Sequence, residues 1–437
     1  MSKIQGIESV LPKSLDYKQI KKSMIKGKRR TVQLLPDSSP EYWSYNNNNK
    51  ITFSLPASGG FLDMENTTIC FEARGYLSTS SIPSTNLYFN NHIESIINKV
   101  EWKTGNGVES VELLQNYNLN AISRYKFETN DNYDPVAIIQ QGVGSVLQRT
   151  TNTSEVHGYS VNLMGSGIMH STMQYLPLSL LAQDGYSRSL ILELTLENPD
   201  YCMARPNAVE TKGYRVYNMF MQMELIECLE YEKELKEKVK NGSMVFGIPY
   251  MSQLSFTNNI PVSRTGQITF QTNVYNNIVQ GFRTLFKASS ENTTLEEYTD
   301  LYTKPTGINN YQLMVGDGLY PVKPLIITAT NNANWFNELL KYYNKCKNQL
   351  KGVKTEVVNA LNTHFVLSTT FKTFYDSEQY LIDNHEYFLD GIDTTQINQI
   401  VMRFDIETAN NVAYNLYHFI DYVGVLAISK DGIQILK

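Results

Sequence analysis

The residues of this sequence that could carry chemistry are scattered, and each group has to be weighed against a purely structural role. The most suggestive stretch is YQLMVGDGLYPVKPLIITATNN, Tyr311–Asn332, in which Gly316 and Gly318 precede a helical pattern running from about Asn332 to Lys347. A phosphate-holding loop must open its helix directly, so that glycine amides and the positive end of the helix dipole meet the anion. Here the third glycine of G-x-G-x-x-G is missing, Pro321 pushes Tyr320 toward extended geometry, and Leu325-Ile326-Ile327-Thr328 reads as strand. The spacing therefore predicts a glycine bend between two strands, with the helix starting too late to cradle a ligand at Gly318.

The other candidates are weaker. His92, His157, His170, His364, His385 and His418 form neither H-E-x-x-H nor H-x-H, so a metal centre has no support. No G-x-S-x-G elbow offers a serine nucleophile. Asp393 with Glu407, or Glu193 with Glu197, could form the carboxylate pair of a glycosidase, but a chain with 43 acids offers such pairs by chance. Phe282-Arg283 with Phe286-Lys287, and Tyr125-Lys126-Phe127, could stack bases of a single strand; core aromatics on strands with a basic opposite face explain them equally well. Cys70, Cys202, Cys228 and Cys346 are widely separated and are expected as buried thiols, without disulfide or zinc. The sequence thus designates no catalytic, cofactor-binding or metal-ligating residue, and a non-enzymatic protein without cofactor is expected.

The elements that would position such residues are mostly strands. At 437 residues the chain exceeds one ordinary core, and two domains of about 200 residues are expected. Its 29 tyrosines favour strands, and runs such as Asn46-Asn47-Asn48-Asn49 favour turns. Alternation places Ile51, Phe53 and Leu55 on one face, then Ile69, Phe71 and Ala73. Val100–Lys103 ends at Gly105-Asn106-Gly107, a turn signal, after which Val108, Val111, Leu114 and Gln115 fit a short helix. Leu190–Glu197 is a strand closed by Asn198-Pro199.

In the second half, "SMVFGIPYMSQLSF" and "GQITFQTNVYNNIVQGFRTLF" read as strands. Trp335, Phe336, Leu339, Leu340 and Tyr343 form a helical stripe, and Ile400, Met402, Phe404 and Ile406 share a strand face. The last hairpin turns at Asp431-Gly432. Strands every ten to twenty residues describe β-sandwiches.

Charge divides the chain. Residues 1–30 carry nine bases and two acids, a net of +7, while the remainder holds 29 bases and 41 acids, a net of −12. A basic arm on an acidic body suggests an arm that faces something anionic, or one that is merely solvated. "ECLEYEKELKEKVKNG", Glu227–Gly242, is the most charged segment; Glu232/Lys236 and Glu234/Lys238 are i,i+4 pairs and Gly242 stands at a helix C-cap position. We expect an arm over 1–42, a first sandwich over 43–228, a connector helix over 229–242 and a second sandwich over 243–437. No apolar run approaches the about 18 residues of a membrane span, and the start M-S-K-I-Q-G lacks a signal-peptide core and a myristoylation glycine. A soluble protein made in a reducing compartment is expected, in which the sequons at Asn66, Asn152, Asn241 and Asn292 carry little meaning.

Four stretches, in order, resemble the double jelly-roll major capsid proteins of DNA viruses, the lineage of adenovirus hexon, tectivirus coats, virophages and polinton-like viruses. They are "YLPLSLLAQDGYSRSLILELTLENP" (Tyr175–Pro199), "INNYQLMVGDGLYPVKPL" (Ile308–Leu325), "FLDGIDTTQINQIVMRFDIET" (Phe388–Thr408) and "YHFIDYVGVLAISKDGIQI" (Tyr417–Ile435). Each is a loose pattern; their order across both halves carries the resemblance, and virophage and polinton-like coats are nearer than hexon. The resemblance implies an all-β chain of two tandem eight-stranded jelly rolls with short helices and a basic N-terminal arm. It further implies a homotrimeric, pseudo-hexameric capsomer in an icosahedral virion, made in the host cytoplasm. The implied partners are neighbouring capsomers, penton and minor capsid proteins, and, through the arm, packaged DNA or neighbouring subunits. The alternatives are a β-sandwich glycan-binding protein or glycosidase, and a non-capsid scaffold protein of the same fold.

Overall fold

The structure is a computed structural model, and it describes residues 27–44, 49–77, 88–89, 92–128, 156–171, 173–182, 187–204, 212–274, 278–289, 304–328, 330, 332–343, 365–372, 390–397 and 399–436. The bulk of the basic arm, Cys346, His364, His385, the sequons at Asn152 and Asn292, and the helical pattern beyond Tyr343 lie outside the described residues, as does most of the Asn46–Asn49 run.

Eight strands build the first half: β1 (Lys28–Leu34), β2 (Lys50–Pro56), β3 (Phe61–Leu77), β4 (Ile97–Thr104), β5 (Ser110–Leu114), β6 (His157–Val161), β7 (Arg188–Leu196) and β8 (Lys212–Glu227). Eight more build the second: β9 (Phe246–Ile260), β10 (Gly266–Asn273), β11 (Ile278–Ala288), β12 (Ile308–Val315), β13 (Gly318–Ile326), β14 (Val366–Thr370), β15 (Gln399–Ile406) and β16 (Tyr414–Ser429). All pairings are antiparallel. In the first half β1 pairs with β8, β2 with β7, β3 with β6 and β4 with β5, as in one long hairpin. Rolling that hairpin up sets β8 beside β3 and β7 beside β4, which gives two facing sheets ordered β1-β8-β3-β6 and β2-β7-β4-β5. The second half repeats this order as β9-β16-β11-β14 and β10-β15-β12-β13. Two tandem eight-stranded jelly rolls result, a fold that closes two Greek keys into a sandwich. Short strands add to the edges, among them Tyr42–Trp43 on β8 and Gly432–Leu436 on β16.

The strand patterns follow from alternation. Ile51, Phe53 and Leu55 of β2 are fully buried, as are Ile400, Met402, Phe404 and Ile406 of β15, while their neighbours are half-buried. The glycine bend falls where the sequence places it: β12 ends at Val315, Gly316 turns with φ +57°, and β13 begins at Gly318. Positive φ is the conformation that favours glycine. The helical stripe also forms, as α3 below.

Among the described residues, three helices of ten or more residues connect the strands: α1 (Tyr117–Glu128), α2 (Leu229–Lys240) and α3 (Ala333–Tyr342). Helix α2 has Glu230 and Glu232 in its first turn and Lys238 and Lys240 in its last, the arrangement that complements the helix dipole. Glu234 and Lys238 pair at 2.7 Å, and Gly242 closes the helix at φ +69°. In α3, Trp335 and Leu339 are buried and the Trp335 indole N–H donates to the Val366 carbonyl at 2.8 Å.

Two expectations are corrected. The segment after Gly107 is strand β5, not a short helix. Val111, Glu112 and Leu114 are buried because the segment pairs with β4, and tertiary pairing overrides the helical spacing. Helix begins only after Asn116, whose φ of +51° breaks the chain direction. Second, Lys28–Leu34 belongs to the arm as drawn from sequence, yet it forms β1. Its Arg29 bonds Glu224 at 3.0 Å and Asp63 at 3.3 Å, and Arg30 lies 3.3 Å from Glu227, so acids of β3 and β8 neutralise the basic run.

Candidate functional site: the seam between the two sandwiches

The carboxylates that could have paired do not meet. Glu193 lies between Lys50 at 2.6 Å and Lys103 at 2.8 Å; burial pushes its pKa up, but hydrogen bonds and charge from the two lysines leave it lowered. Glu197 is held by Asn98 at 2.6 Å and Asn118 at 3.0 Å, with its pKa raised by burial. Asp393 pairs with Ile278 at the edge of one sheet, whereas Glu407 follows β15 in the facing sheet, where its amide donates to the Gly307 carbonyl at 2.9 Å. Among the described residues no three His, Cys, Asp or Glu side chains gather as a metal site. Cys70, Cys202 and Cys228 are free thiols.

Two of the described histidines serve structure. His92 caps a short helix by accepting from the Glu94 amide at 3.1 Å. His418 is buried against Phe270 and Phe282, with Nδ1 2.8 Å from the Thr284 hydroxyl, and burial pushes its pKa down to about 3. Phe282 and Phe286 are core residues, and Arg283 and Lys287 are buried too, so this strand cannot stack bases. Tyr125-Lys126-Phe127 closes α1, where its side chains lie outside the described residues.

The seam where the halves meet concentrates the unusual groups instead. The basic face of β11 opposite its core aromatics is buried, and α1 packs over its Arg283. Arg283 donates to Ser123 Oγ at 2.7 Å and the Tyr343 hydroxyl at 3.3 Å, and also bonds Asn120 Oδ1. Its guanidinium lies 5.2 Å from the Phe419 ring centroid and 5.6 Å from that of Tyr342. Asp421 accepts from Gln253 Nε2 at 2.5 Å and from the Tyr342 hydroxyl. A cavity of about 200 Å³ opens beside this cluster, lined in part by Arg124, Gln253, Gln280, Lys372 and Asp421.

A second polar centre lies on the first sandwich. Glu112 of β5 is fully buried and accepts from Ser166 Oγ and the Gly167 amide, both at 2.7 Å. Burial nevertheless pushes its pKa up to about 7. Around it the halves interlock: the Tyr250 hydroxyl donates to the Val111 carbonyl at 2.8 Å, Ser171 Oγ to the Pro249 carbonyl at 2.6 Å, and Asn116 Nδ2 to Ser255 Oγ at 2.9 Å. Gly167 passes so close to β9 that a Cβ there would sit 1.8 Å from the Met251 carbonyl oxygen. Nothing in the sequence signals this seam, because isolated Glu, Arg and Gln residues on strands read as solvent-facing. The arrangement can hold two sandwiches in one orientation; it brings together no nucleophile, base and oxyanion donor.

No protein-family model matches the sequence, and no curated protein matches it. In three dimensions the chain is similar to solved viral structures. The capsid of the virus PBCV-1 superposes with a TM-score of 0.64 at 11% identity, covering 96% of this chain and 99% of that one. The PBCV-1 VP54 structure fitted into a reconstruction of the virophage Sputnik gives 0.62 at 10% identity, covering 96% and 99%. The Sputnik virophage structure gives 0.53 at 13% identity, covering 98% and 93%. At such identities the likeness shows the fold, and it spans both jelly rolls.

Proposed function

We propose that the chain is the major coat subunit of an icosahedral DNA virus, of the kind found in the PBCV-1 and Sputnik particles, and that it does no catalysis. The observation that carries this reading is the repetition of one strand order in both halves of a single chain. Three such chains around a threefold axis present six similar sandwiches, a pseudo-hexagonal prism suited to a lattice in which each capsomer meets six neighbours. The buried polar seam fits the role, since a prism can tile only if its two sandwiches keep one mutual orientation. In this reading the rolls occupy about 28–228 and 243–437, joined by the connector helix 229–242. The protein resides in the virion, beside neighbouring capsomers and penton and minor capsid proteins. The arm before Lys28 ties to a neighbouring subunit more than to packaged DNA, because its six bases against two acids are few beside a genome.

The test is the size and outline of the expressed protein. Sedimentation at micromolar concentration is expected to give the mass of three chains, and negative-stain images a six-sided outline. A stable monomer under those conditions defeats the reading.

A further inference from the structure

The outer face of the first β1-β8-β3-β6 sheet carries two arginines where charge should not be doubled. Arg74 of β3 and Arg215 of β8 are direct cross-strand partners, so both side chains leave the same face side by side. Like charges directly opposite in a sheet destabilise it. Among the described residues neither pairs with a carboxylate, and the Nε of each is buried without a hydrogen-bond partner. Glu72, two positions before Arg74 on the same face, is bonded instead to Asn218 Nδ2 at 3.0 Å.

Aromatic rings hold both guanidiniums in place. The Arg215 guanidinium carbon lies 3.1 Å from the Trp43 ring centroid and 5.2 Å from that of Tyr76; Arg74 lies 5.5 Å from Tyr76. The Tyr76 and Tyr217 hydroxyls are 2.5 Å apart and complete the frame. Stacking fixes a guanidinium plane while leaving its edge N–H groups to a planar oxyanion.

We propose that Arg74 and Arg215, framed by Trp43, Tyr76 and Tyr217, form a docking site for a carboxylate carried by a second copy of this chain. The proposal rests on the assembly reading above. Two observations favour a second copy as the source. Residues beyond position 30 carry 41 acids against 29 bases, so any copy presents an acidic surface. Arginine, tryptophan and tyrosine are also the residue types that dominate binding energy at protein interfaces.

Trp43 makes the site directly readable. The chain has three tryptophans, and Trp102 and Trp335 are buried in the cores, which leaves half-buried Trp43 as the one whose emission a docking carboxylate would alter. The experiment compares the full-length wild type with the R74Q/R215Q double variant by concentration-dependent sedimentation, tryptophan emission and thermal melting. The expected result is an association constant lowered by about tenfold or more, an emission change on association that the variant lacks, and a melting point that does not fall. A structural role would give the reverse: a lower melting point with unchanged association. That outcome, or a variant that associates like the wild type, overturns the docking site while leaving the assembly reading intact. An emission change that follows inorganic phosphate in dilute protein, but not association, also overturns it in favour of a free-anion site. A wild type that never associates defeats the assembly reading, and docking with it.

Discussion

The two jelly rolls share a strand order but close their cores by different physics. The first core reaches across the seam and enlists Phe246, Ile248, Tyr250, Leu426 and Ile428 from the second half, with Leu235 and Val239 from helix α2. Among the described residues, the second core takes only Leu119 from the first half; α1 instead supplies it with hydrogen-bonding partners for the buried Arg283. One roll therefore leans on its neighbour through apolar burial, which is strong and non-directional. The other leans through a polar cluster, which is directional and severe when broken. Repeated topology does not make two independent units. The apolar contact supplies adhesion, and the polar contact sets the angle.

Breaking the polar side should have the largest effect. Arg283→Ala leaves Asn120, Ser123 and Tyr343 without their donor in a buried site, an expected loss of roughly 3–5 kcal/mol. Urea unfolding followed by fluorescence measures it. If the cluster sets the angle between rolls, the single transition also splits into two. A loss under about 1 kcal/mol would mean that water replaces the arginine, and that the seam is set elsewhere.

The apolar side is tested by a residue of the second half that serves the first. Ile248 of β9 is fully buried in the first core, so Ile248→Ala should cost about 2–5 kcal/mol. The site of the damage matters more than its size. Amide exchange is expected to accelerate in β5 and β8 of the first roll more than in β10 and β12 of the second. Faster exchange confined to the second roll would reverse the direction of dependence argued here.

Much of this comparison was legible in the sequence at the level of single strands and invisible at the level of the seam. Period-two alternation marked β2, β3 and β15 because one face of each is apolar and the other is not. It failed at Ser110–Leu114, where Glu112 is buried and the pattern mimics a helix. Nor did it reveal that the basic face of β11, with Arg283 and Lys287, is buried like its aromatic one. Both failures have one cause: these faces are covered by partners distant in sequence, and a local pattern carries no information about a distant cover. The arginine pair was missed for a related reason. Arg74 and Arg215 are 141 positions apart and become neighbours only through the register of β3 with β8.

The finest contrast between the rolls is in their response to pH through two buried groups of opposite kind, Glu112 in the first and His418 in the second. Glu112 in the first has a pKa raised to about 7 from 4.5; the folded chain therefore holds a proton that the unfolded chain has lost between those values. Its contribution is greatest at acid pH and declines as pH rises from 4.5 to 7. His418 in the second has a pKa lowered to about 3 from 6.5; there the unfolded chain binds the proton first, and stability declines as pH falls from 6.5 to 3. Each slope is on the order of 1 kcal/mol per pH unit, and between pH 4.5 and 6.5 the two oppose each other. The wild type should therefore show a flatter profile than either variant. Relative to wild type, Glu112→Gln is expected to gain stability as pH rises from 4.5 to 7, while His418→Gln gains as pH falls from 6.5 toward 4.5. Urea midpoints across that range measure both differences. Parallel profiles for wild type and Glu112→Gln would mean that Glu112 keeps its charge in the folded chain. The amides of Gly167 and Ile168 and the hydroxyl of Ser166 would then outweigh its burial.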